Sequence, residues 1–552
     1  MTKLKIGLLL DDGFFNMYMY DLADWARQQS NLEISHLITN SPHRSSSSRG
    51  FGALTGVKWL YQHVSKLFFS VVVSLESYLL RFSKLHRHHF DAHDLERMVG
   101  SHITIHSTPG SGSDAFQFSE LDVRRVSALK LDLLIRFGSD QLQGQILQAA
   151  RLGSISFGDG YDQLHSADLA GFWECYEKRP KTGFSIVKLT DRSDEIDVLL
   201  SGYFSTKFCF SMNQQNLYKK SSTHFRRLLQ RIAITGELPA AERTFRNCVQ
   251  PCRVPNFHES FVYLFRVTQR LGMKMAYRST NYEKKWGLSF THSNWRDVNL
   301  CLSNDAIAPR GHFWADPFVY ADSGKTYCFV EDYVYRSSLG HIAVLEVAND
   351  EVAFLGDCIK EPFHLSFPFI FKYMGALYMC PEASASRQIR IYRSIDFPLQ
   401  WELCSIIMEG ISAADTMLFE HAGMWWMLTS IDESGSNDYT SELYLFWSES
   451  PLTTEWTAHP RNPIRIDSEG GRNAGLIIED GKIFRLAQRQ GFDQYGEGLL
   501  MFEITELTVV AYSEHLFSRN DPSVREGKIG THHLSTTGAV TVFDHLSRVF
   551  SP

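Results

Sequence analysis

The first 205 residues alternate between short apolar runs and longer amphipathic stretches. The apolar runs predict strands at Lys5–Leu10, Leu32–Ile38, Leu131–Phe137, Ser154–Phe157, Phe184–Leu189 and Val198–Phe204. The stretches between them have helical periodicity, and strands that alternate with helices are typical of a mainly parallel α/β sheet. We therefore expect an α/β domain over residues 1–205.

Residues 206–280 have a helical pattern, which predicts a helical connector between two domains. Within it, residues 216–234 place five basic side chains among apolar positions: Lys219, Lys220, Arg226, Arg227 and Arg231. Such a helix is typical either of peripheral contact with an anionic membrane surface or of a solvated face that packs between domains. A second apolar stretch, Lys66–Arg81, is shorter than the roughly 20 residues that span a bilayer and predicts an amphipathic or buried helix.

From residue 281 onward a different pattern repeats five times. A glycine follows Pro317 after 7 residues and a polar residue follows after 14, and the same spacing starts at Pro368, Thr416, Ala474 and Thr531. Each copy is rich in β-prone residues, so it predicts two strands around a tight turn whose glycine takes a positive φ. Units of roughly 50 residues with up to four strands are the signature of propeller blades. We expect a five-bladed β-propeller over residues 281–552.

The repeat register predicts which residues line one mouth of this propeller. We expect Trp286–His292, upstream of the first copy, to complete the last blade and close the ring. If each hairpin turns at its glycine, residue 317 lies opposite residue 331, and the start of the first strand shares a rim with the end of the second. The rim residues are then Asp316, Glu331, Phe367, Glu382, Asp415, Ser430, Arg472, Asn473, Gln488, either His532 or His533, and His545.

Convergent carboxylate, amide and imidazole groups beside aromatic faces are typical of a sugar-binding pocket. Aromatic stacking faces are expected from Trp314, Phe367 and Tyr495. The substrate-binding residues that we assign to the mouth are Trp314, Glu331, His364, Arg472, Asn473, Gln488, Tyr495 and His532.

Composition narrows the class of partner. A net charge of −7 and a sequence pI near 6.3 give no reason to expect a nucleic acid, whose phosphates call for clustered basic residues. Nine cysteines at irregular spacing, with Cys248 and Cys252 the closest pair, favour buried thiols over a metal site or a disulfide framework. The N-terminal apolar run, Ile6–Leu10, is too short for a secretory signal. We expect a cytoplasmic protein, peripheral at the inner face of the membrane if residues 216–234 bind it, with no metal and no cofactor.

Two stretches of the first domain, Leu131–Phe157 and Gly171–Leu200, resemble the formyltransferase fold used on methionyl-tRNA and on amino sugars. The resemblance implies a Rossmann-type domain with a strand that ends in Asn-x-His and a later Asp. Ser156 and Gly158 stand in the Asn and His positions, and Asp194 matches the Asp. Because glycine has no side chain to accept a proton, the resemblance implies a degenerate formyltransferase site. The domain would then be a scaffold or would bind a nucleotide, sugar or partner.

Two features leave alternatives open in this domain. His165 lies in a loop beyond Gly158 and is either surface decoration or a substitute for the missing histidine. The segment His43–Arg49, HRSSSSR, is either an ordinary loop or a phosphate-binding loop. No G-x-G-x-x-G follows the first strand, so the dinucleotide fingerprint is absent.

The repeats themselves carry a resemblance through FWADPF, FHLSFPF, MCPEAS, FPLQWEL, AADTMLF, EWTAHPRNPI, GRNAGLI and LAQRQ. These stretches resemble the five-bladed propellers of glycoside hydrolases. They are more similar to the glycoside-hydrolase-like N-terminal domain of plant glucosamine inositolphosphorylceramide transferases, which also occurs beside formyltransferase-like domains in bacteria.

The hydrolase resemblance implies catalytic roles for three carboxylates. Asp316 matches the base or nucleophile of blade one, and Asp415 matches the orienting aspartate of blade three. Blade four has Arg472 and Asn473 where the acid would stand, and an arginine cannot donate a proton at neutral pH. Glu382 or Glu331 would have to replace that acid, while Arg472 suits a phosphate or carboxylate of the substrate.

The sequence thus predicts a carbohydrate-active protein of surface polysaccharide or glycolipid biosynthesis. It would bind a sugar, nucleotide sugar or glycolipid at the propeller mouth and process or transfer the sugar. One alternative is a non-catalytic scaffold that holds a glycan for other glycan-assembly enzymes. Another is a sugar N-formyltransferase whose propeller selects the acceptor.

Overall fold

The computed structural model describes residues 3–11, 17–41, 53–80, 95–109, 115–138, 141–158, 169–191, 195–246, 253–279, 282–298, 303–349, 351–520 and 527–550. It divides into two compact units, Met1–Gly272 and Met273–Pro552. Among the described residues, no helix is both long and apolar enough to cross a membrane.

The first unit contains a large sheet and nearly all of the described α-helical residues. The helices are α1 (Met17–Arg27), α2 (Ala53–Leu80), α3 (Leu95–Val99), α4 (Glu120–Ser127), α5 (Phe172–Glu177), α6 (Phe210–Thr235) and α7 (Phe257–Ser279), whose last residues belong to the second unit. The strands are β1 (Leu4–Asp11), β2 (Leu32–Asn40), β3 (His102–Ile105), β4 (Ser107–Pro109), β5 (Ala115–Phe118), β6 (Leu133–Phe137), β7 (Gln141–Leu142), β8 (Ser154–Gly158), β9 (Lys181–Leu189), β10 (Glu195–Ser205) and β11 (Arg243–Arg246).

The main sheet has the order β11-β10-β9-β8-β6-β1-β2-β3. The strands from β8 to β3 pair in parallel, and β9, β10 and β11 pair antiparallel. All six strands that the apolar runs predict are present, because runs such as Leu8–Leu10 are buried on both faces of the sheet. The short strands β4, β5 and β7 form a separate sheet.

Helix α6 packs against β9 and β10 within the first unit. Its basic residues are turned into that unit: Lys220 is fully buried, and Arg226 donates a hydrogen bond of 3.2 Å to the carbonyl of Asp21. Of the five basic residues, only Arg231 is exposed. Lys219, Arg226 and Arg227 are half-buried, as a packing face requires, and contact of residues 216–234 with a membrane stays a prediction.

The second unit is built almost entirely of strands. They are β12 (Tyr282–Thr291), β13 (Asn304–Ala306), β14 (His312–Asp322), β15 (Lys325–Val334), β16 (Leu339–Ala348), β17 (Glu351–Ile359), β18 (Ser366–Tyr373), β19 (Ala376–Glu382), β20 (Gln388–Asp396), β21 (Gln400–Glu409), β22 (Ala413–His421), β23 (Met424–Ile431), β24 (Glu442–Ser448), β25 (Thr457–Ala458), β26 (Arg465–Ile466), β27 (Glu469–Glu479), β28 (Lys482–Gly491), β29 (Gln494–Leu507), β30 (Tyr512–Asn520), β31 (Lys528–Gly530), β32 (Leu534–Thr536) and β33 (Thr541–Phe550).

These strands form five sheets, which are the five blades of a β-propeller. Blades one to four start at β14, β18, β22 and β27, and blade five combines β31, β32 and β33 with β12 and β13. The innermost strands β14, β18, β22, β27 and β32 contact one another in that order, and β32 contacts β14. Strand β12 pairs with β33, with Trp286 opposite Leu546, so the prediction that Trp286–His292 closes the ring is confirmed.

The repeated glycines turn the hairpins as predicted. In blade one, Ser323 and Gly324 both have positive φ, 51° and 78°, between the paired residues Asp322 and Lys325. A two-residue turn with both central φ values positive matches the twist of antiparallel strands. Gly375, Gly423 and Gly481 occupy the equivalent place at φ values of 77°, 76° and 73°. Blade five differs, because Gly538 lies in a longer loop between Thr536 and Thr541.

The predicted pairing of residue 317 with residue 331 is wrong by two positions. Ala315 lies opposite Glu331, and Phe318 lies opposite Phe329. The two-residue turn moves the centre of the hairpin by half a residue, and a β-bulge at Asp316 and Pro317 inserts one extra residue into β14. The same bulge recurs in blade two between Ser366 and Phe369 and in blade three between Ala414 and Met417.

Candidate active site

The bulges place one left-handed residue at the inner edge of each of the first three blades. Asp316, Phe367 and Asp415 have φ values of 48°, 47° and 50°, in a region that non-glycine residues rarely adopt. All three are buried, and two of them are the aspartates that the sequence identifies as catalytic. Backbone strain of this kind is costly and persists where the surrounding structure holds it, which is common at functional sites.

Asp316 is the last of three titratable side chains in contact with one another, in the order Asp544, His532, Asp316. Nδ1 of His532 lies 2.6 Å from Oδ2 of Asp544, and Nε2 lies 3.4 Å from Oδ1 of Asp316. Oδ1 of Asp544 accepts the backbone N–H groups of His532 and His533 at 2.8 and 3.0 Å. The other oxygen of Asp316 accepts the N–H of Phe367 at 3.2 Å.

These contacts set the charge states of Asp316, His532 and Asp544. Burial raises the pKa of Asp316 to about 7, although His532 opposes the rise. Burial also disfavours the charged forms of the other two groups, but their attraction reverses the effect: the pKa of His532 lies above its ordinary value and that of Asp544 lies below. The expected state at neutral pH is a His532–Asp544 ion pair beside an Asp316 carboxyl that exchanges its proton readily.

Asp415 lies in a second network, centred on Arg472. Nε and Nη2 of Arg472 approach the two carboxylate oxygens of Asp415 at 2.5 and 3.2 Å, and Nη2 also lies 3.2 Å from Oε2 of Glu382. The side-chain amide of Gln488 donates to Asp415 at 2.9 Å. Burial raises the pKa of Asp415 to about 7, and Arg472 is the main opposing influence.

This network corrects the role predicted for Arg472. A bidentate site for a substrate phosphate needs a guanidinium without carboxylate partners, whereas Arg472 already binds Asp415 and Glu382. Arg472 therefore orients these two carboxylates. Glu382, held by Arg472 and by the hydroxyl of Ser384 at 3.0 Å, is a poor replacement for the missing acid of blade four.

Glu331 is the carboxyl group best suited to carry a proton. Burial, reinforced by the neighbouring Asp316 and Glu382, raises its pKa well above the ordinary value. Nε2 of His364 lies 3.4 Å from its Oε1. The backbone N–H of Gly340 donates to Nδ1 of His364 at 2.9 Å, so the proton of a neutral His364 is on Nε2 and faces Glu331. Burial lowers the pKa of His364, which favours that neutral form.

One aromatic residue fits the predicted stacking role. Tyr495 is 38% exposed, and the guanidinium of Arg472 lies 5.3 Å from the centre of its ring. It also makes an edge contact with His532 at 5.3 Å. The other two aromatic predictions are wrong, because Trp314 is buried in a hydrophobic core shared by blades five and one, and Phe367 is fully buried against Phe318.

Asn473 and His545 do not line the mouth either. Asn473 is fully buried, and its amide donates to the carbonyls of Asp415 and Leu428, which ties blade four to blade three. In blade four the register shifts fall on either side of Arg472 and Asn473, so Arg472 reaches the carboxylates instead. His545 lies 2.9 Å from the hydroxyl of Ser289 on β12.

Sequence reasoning missed Asp544 and Trp286. Asp544 is the charged residue that ends the apolar run Val540–Phe543, and this lone acid in a buried strand was the available signal. Trp286 stacks on His532 with ring centres 4.0 Å apart. The sequence assigns Trp286 only to the strand that closes the ring, because its contact with His532 joins residues from the two ends of the unit.

The structure describes only some of the site residues predicted for the first unit. Ser156 is buried at the end of β8 and donates a hydrogen bond of 3.3 Å to the carbonyl of Arg136, while Gly158 pairs with Ser185. Asp194, His165, His43–Arg49 and the pair Cys248 and Cys252 lie outside the described residues.

Among the described residues of the second unit, two groups of side chains are close enough to coordinate a metal ion. In each group, Asp316 with His532 and Asp544, and Asp332 with His341 and Asp357, the ligand atoms lie within 4.8 Å of one another. In the first group the imidazole already separates the two carboxylates, so an ion would have to replace the His532–Asp544 pair.

The fold and this mouth together define the second unit as a five-bladed β-propeller whose centre holds paired carboxylates, an arginine and a histidine. Residues 292–529, all within this unit, match the family model described as glucosamine inositolphosphorylceramide transferase 1, N-terminal. The glucosamine inositolphosphorylceramide transferase 1 of Oryza sativa subsp. japonica is 32% identical over 270 residues, which cover 46% of this chain and 36% of that protein.

The protein of the same name from Arabidopsis thaliana is 32% identical over 236 residues, covering 42% of this chain and 30% of that protein. The chain thus spans about a third of the length of the curated relatives it matches.

Solved structures are similar at low sequence identity. Zg3597, a family 117 glycoside hydrolase of Zobellia galactanivorans, has a TM-score of 0.32 and 12% identity over 48% of this chain and 91% of its own. The catalytic domain of a Coprinopsis cinerea GH62 α-L-arabinofuranosidase has a TM-score of 0.33 and 11% identity over 49% of this chain and 98% of its own. Both scores are low, so the propeller assignment rests on the sheet order of this chain.

Proposed function

We propose that this protein acts on a glycan or glycolipid and that the propeller mouth binds the sugar whose glycosidic bond is cleaved or transferred. The observation that carries the proposal is that two neighbouring buried carboxyl groups both have raised pKa values, that of Asp316 to about 7 and that of Glu331 well above its ordinary value. Acid–base chemistry at a glycosidic bond requires two carboxyl groups, one of which holds a proton near neutral pH. The similarity to glucosamine inositolphosphorylceramide transferase 1 supports a sugar as the substrate.

In this proposal Asp316 is the base or nucleophile and Glu331 is the acid. The ionised form of Asp316 becomes abundant as the pH rises through about 7. Glu331 holds its proton at neutral pH and gives it to the oxygen that leaves the sugar. His532 and Asp544 orient and charge-balance Asp316, and Arg472 holds Asp415 and Glu382 at the wall of the mouth.

A second candidate, a glycan-binding protein without catalysis, is favoured by one observation. Arg472 stands where the hydrolytic propellers have their acid, and it neutralises two of the carboxylates of the mouth. In that case the mouth would hold a sugar for another glycan-assembly enzyme.

Glu331→Gln distinguishes the two candidates. We expect turnover of an alkyl glycoside to fall at least about 100-fold, because its leaving group needs a proton, and turnover of the matched 4-nitrophenyl glycoside to fall less than about tenfold. Wild type is first assayed on a panel of aryl glycosides to find a substrate. The measurement is then kcat for both glycosides across the pH range.

The matched control is Glu346→Gln, which removes a carboxylate of the same blade that pairs with Lys325 at the surface. Equal losses on both substrates would contradict an acid role for Glu331. A wild type that binds glycosides by calorimetry but turns none over would support the scaffold instead.

For the first unit we propose a binding or scaffold role rather than formyl transfer. Gly158 offers no side chain, and the hydroxyl of Ser156 is turned to the carbonyl of Arg136. We expect no binding of a formyl-tetrahydrofolate analogue by calorimetry. Gly158→His, which introduces a histidine at this position, is the variant to compare with wild type. Saturable binding of the analogue by wild type would overturn the proposal.

A further inference from the structure

Helix α2 exposes an apolar face along most of its described length. The side chains on that face, with exposed fractions between 47% and 68%, are Tyr61, Val64, Leu67, Val71, Leu75 and Tyr78. Their spacing of three or four residues aligns them on one side of the helix. Ser65, Phe69, Val72 and Glu76, on another side, are the residues that α2 buries. The helix is therefore apolar on the face that it does not bury.

The neighbouring helix α7 continues this surface. Phe257, Phe261 and Phe265 recur once per turn and are 42%, 54% and 59% exposed. The two helices touch where the ring of Phe68 lies 4.5 Å from that of Phe257, and the N–H of Phe257 donates to the hydroxyl of Ser65 at 3.1 Å. We call these nine exposed side chains, six on α2 and three on α7, the α2–α7 apolar surface. Contiguous exposed apolar area of this extent is unusual in a protein surface without a partner.

The charges on the two helices are biased toward positive. Glu76, the acidic residue of α2, is turned inward, where it accepts hydrogen bonds from the N–H and hydroxyl of Ser211 and from Tyr263. Burial raises the pKa of Glu76, which favours its neutral form. Glu259 of α7 pairs with Arg253 at 2.5 Å. Lys66 and Arg266 are exposed, and neither has a carboxylate within one turn of its own helix, although Arg266 also donates a hydrogen bond of 2.7 Å to the carbonyl of Tyr176.

We propose that the α2–α7 apolar surface docks on an anionic phospholipid bilayer, with both helices in the plane of the interface. Helices that lie in a membrane interface have an apolar face with aromatic residues and a polar face with basic charge. Helix α2 has such an apolar face beside a face of Ser and Lys. Tyr61 and Tyr78 lie about 25 Å apart along α2, where their hydroxyls reach the headgroups while the aliphatic side chains between them enter the acyl region. The proposal is independent of the chemistry at the propeller mouth and of the membrane contact predicted for residues 216–234.

Vesicle flotation of the full chain tests this. We expect binding to vesicles of phosphatidylcholine mixed with phosphatidylglycerol, weaker binding to phosphatidylcholine alone, and a decrease with salt because the basic side chains are exposed. Leu67→Glu combined with Val71→Glu is expected to lower the bound fraction at least about tenfold, because it places two charges in the apolar surface.

The matched control compares Ser70→Glu with Val71→Glu alone: each adds one charge at an exposed position of the same helix, but Ser70 lies about 100° around the helix from Val71, on its polar side. Retention of most binding in Ser70→Glu is expected, and a loss equal to that of Val71→Glu would show that net charge alone governs binding and would overturn the proposal. Phe261→Ser with Phe265→Ser provides a charge-neutral test on α7, and circular dichroism checks the folding of each variant.

Two other outcomes would also overturn the proposal. Absence of flotation with both kinds of vesicle would exclude a lipid partner. A wild type that dimerises in sedimentation velocity, and that Leu67→Glu with Val71→Glu converts to monomer, would assign the surface to a second copy of this chain.

Discussion

Asp316→Asn is expected to lower turnover at least about 10³-fold and to stabilise the fold above neutral pH. The loss of activity follows because the amide can neither accept a proton nor attack a sugar. The amide keeps an oxygen for the N–H of Phe367, so the bulge of blade one is retained. The measurements are kcat/KM on the best aryl glycoside and urea unfolding at several pH values.

The direction of the stability effect follows from the pKa. Burial raises the pKa of the folded-state carboxyl to about 7, above its ordinary value of 3.8. Below about pH 4 the folded and unfolded states both hold the proton, and the carboxyl costs nothing. As the pH rises to 7 the unfolded chain releases that proton first, so wild type loses stability relative to the variant. We expect an advantage for Asp316→Asn on the order of 4 kcal/mol at pH 8 and little at pH 4.

Asp322→Asn is the control for this prediction. Asp322 ends the same strand at the exposed hairpin, where it accepts the hydroxyl of Ser323 at 2.9 Å. It should change neither turnover nor the pH dependence of stability. An Asp316→Asn protein that is active, or that is less stable than wild type at pH 8, would contradict the assigned role and environment.

Arg472→Met is expected to destabilise the propeller by about 3–5 kcal/mol. The substitution leaves Asp415 and Glu382 buried beside each other without a counter-charge, since Arg472 is the cation within hydrogen-bond distance of both. The free energy of unfolding from urea titration is the measurement. Arg296→Met, which removes an exposed partner of Glu479, should have little effect.

The double variant Arg472→Met with Asp415→Asn identifies the cause. If the loss comes from uncompensated charge, neutralising Asp415 should recover a large part of it, and the two changes will be strongly non-additive. Additive effects would mean that Arg472 stabilises the mouth through packing against Tyr495 instead.

The blades could be predicted because their signals are local. The turn at Gly324 depends on two residues with positive φ, and the strands on either side of it depend on β-prone runs, so the 7-and-14 spacing was sufficient. The pairing across each hairpin was less accurate. A bulge adds one residue to β14 without changing the pattern of residue types, and this moved the partner of Glu331 to Ala315.

The candidate site was predicted in part for the same reason. Asp316, Asp415, Glu331, Glu382 and His532 meet at the mouth as expected. Trp314 and Asn473 are at the predicted positions in sequence but are turned into the core, because side chains alternate between faces and a one-residue shift reverses them. Asp544 could not be assigned, since its partner His532 lies outside the strands, in the segment between β31 and β32.

The sequence by itself determined the α/β strands, the five blades, the hairpin turns and the carboxylates available to the mouth, because each depends on neighbours within a few residues. The tertiary structure alone decided that Arg472 binds Asp415 and Glu382, and that burial raises the pKa of Glu331 well above its ordinary value. These properties depend on charges and burial contributed by different blades, such as the contact of Asp316 with Asp544, 228 residues apart. Long-range electrostatics of this kind exist only once the ring has closed.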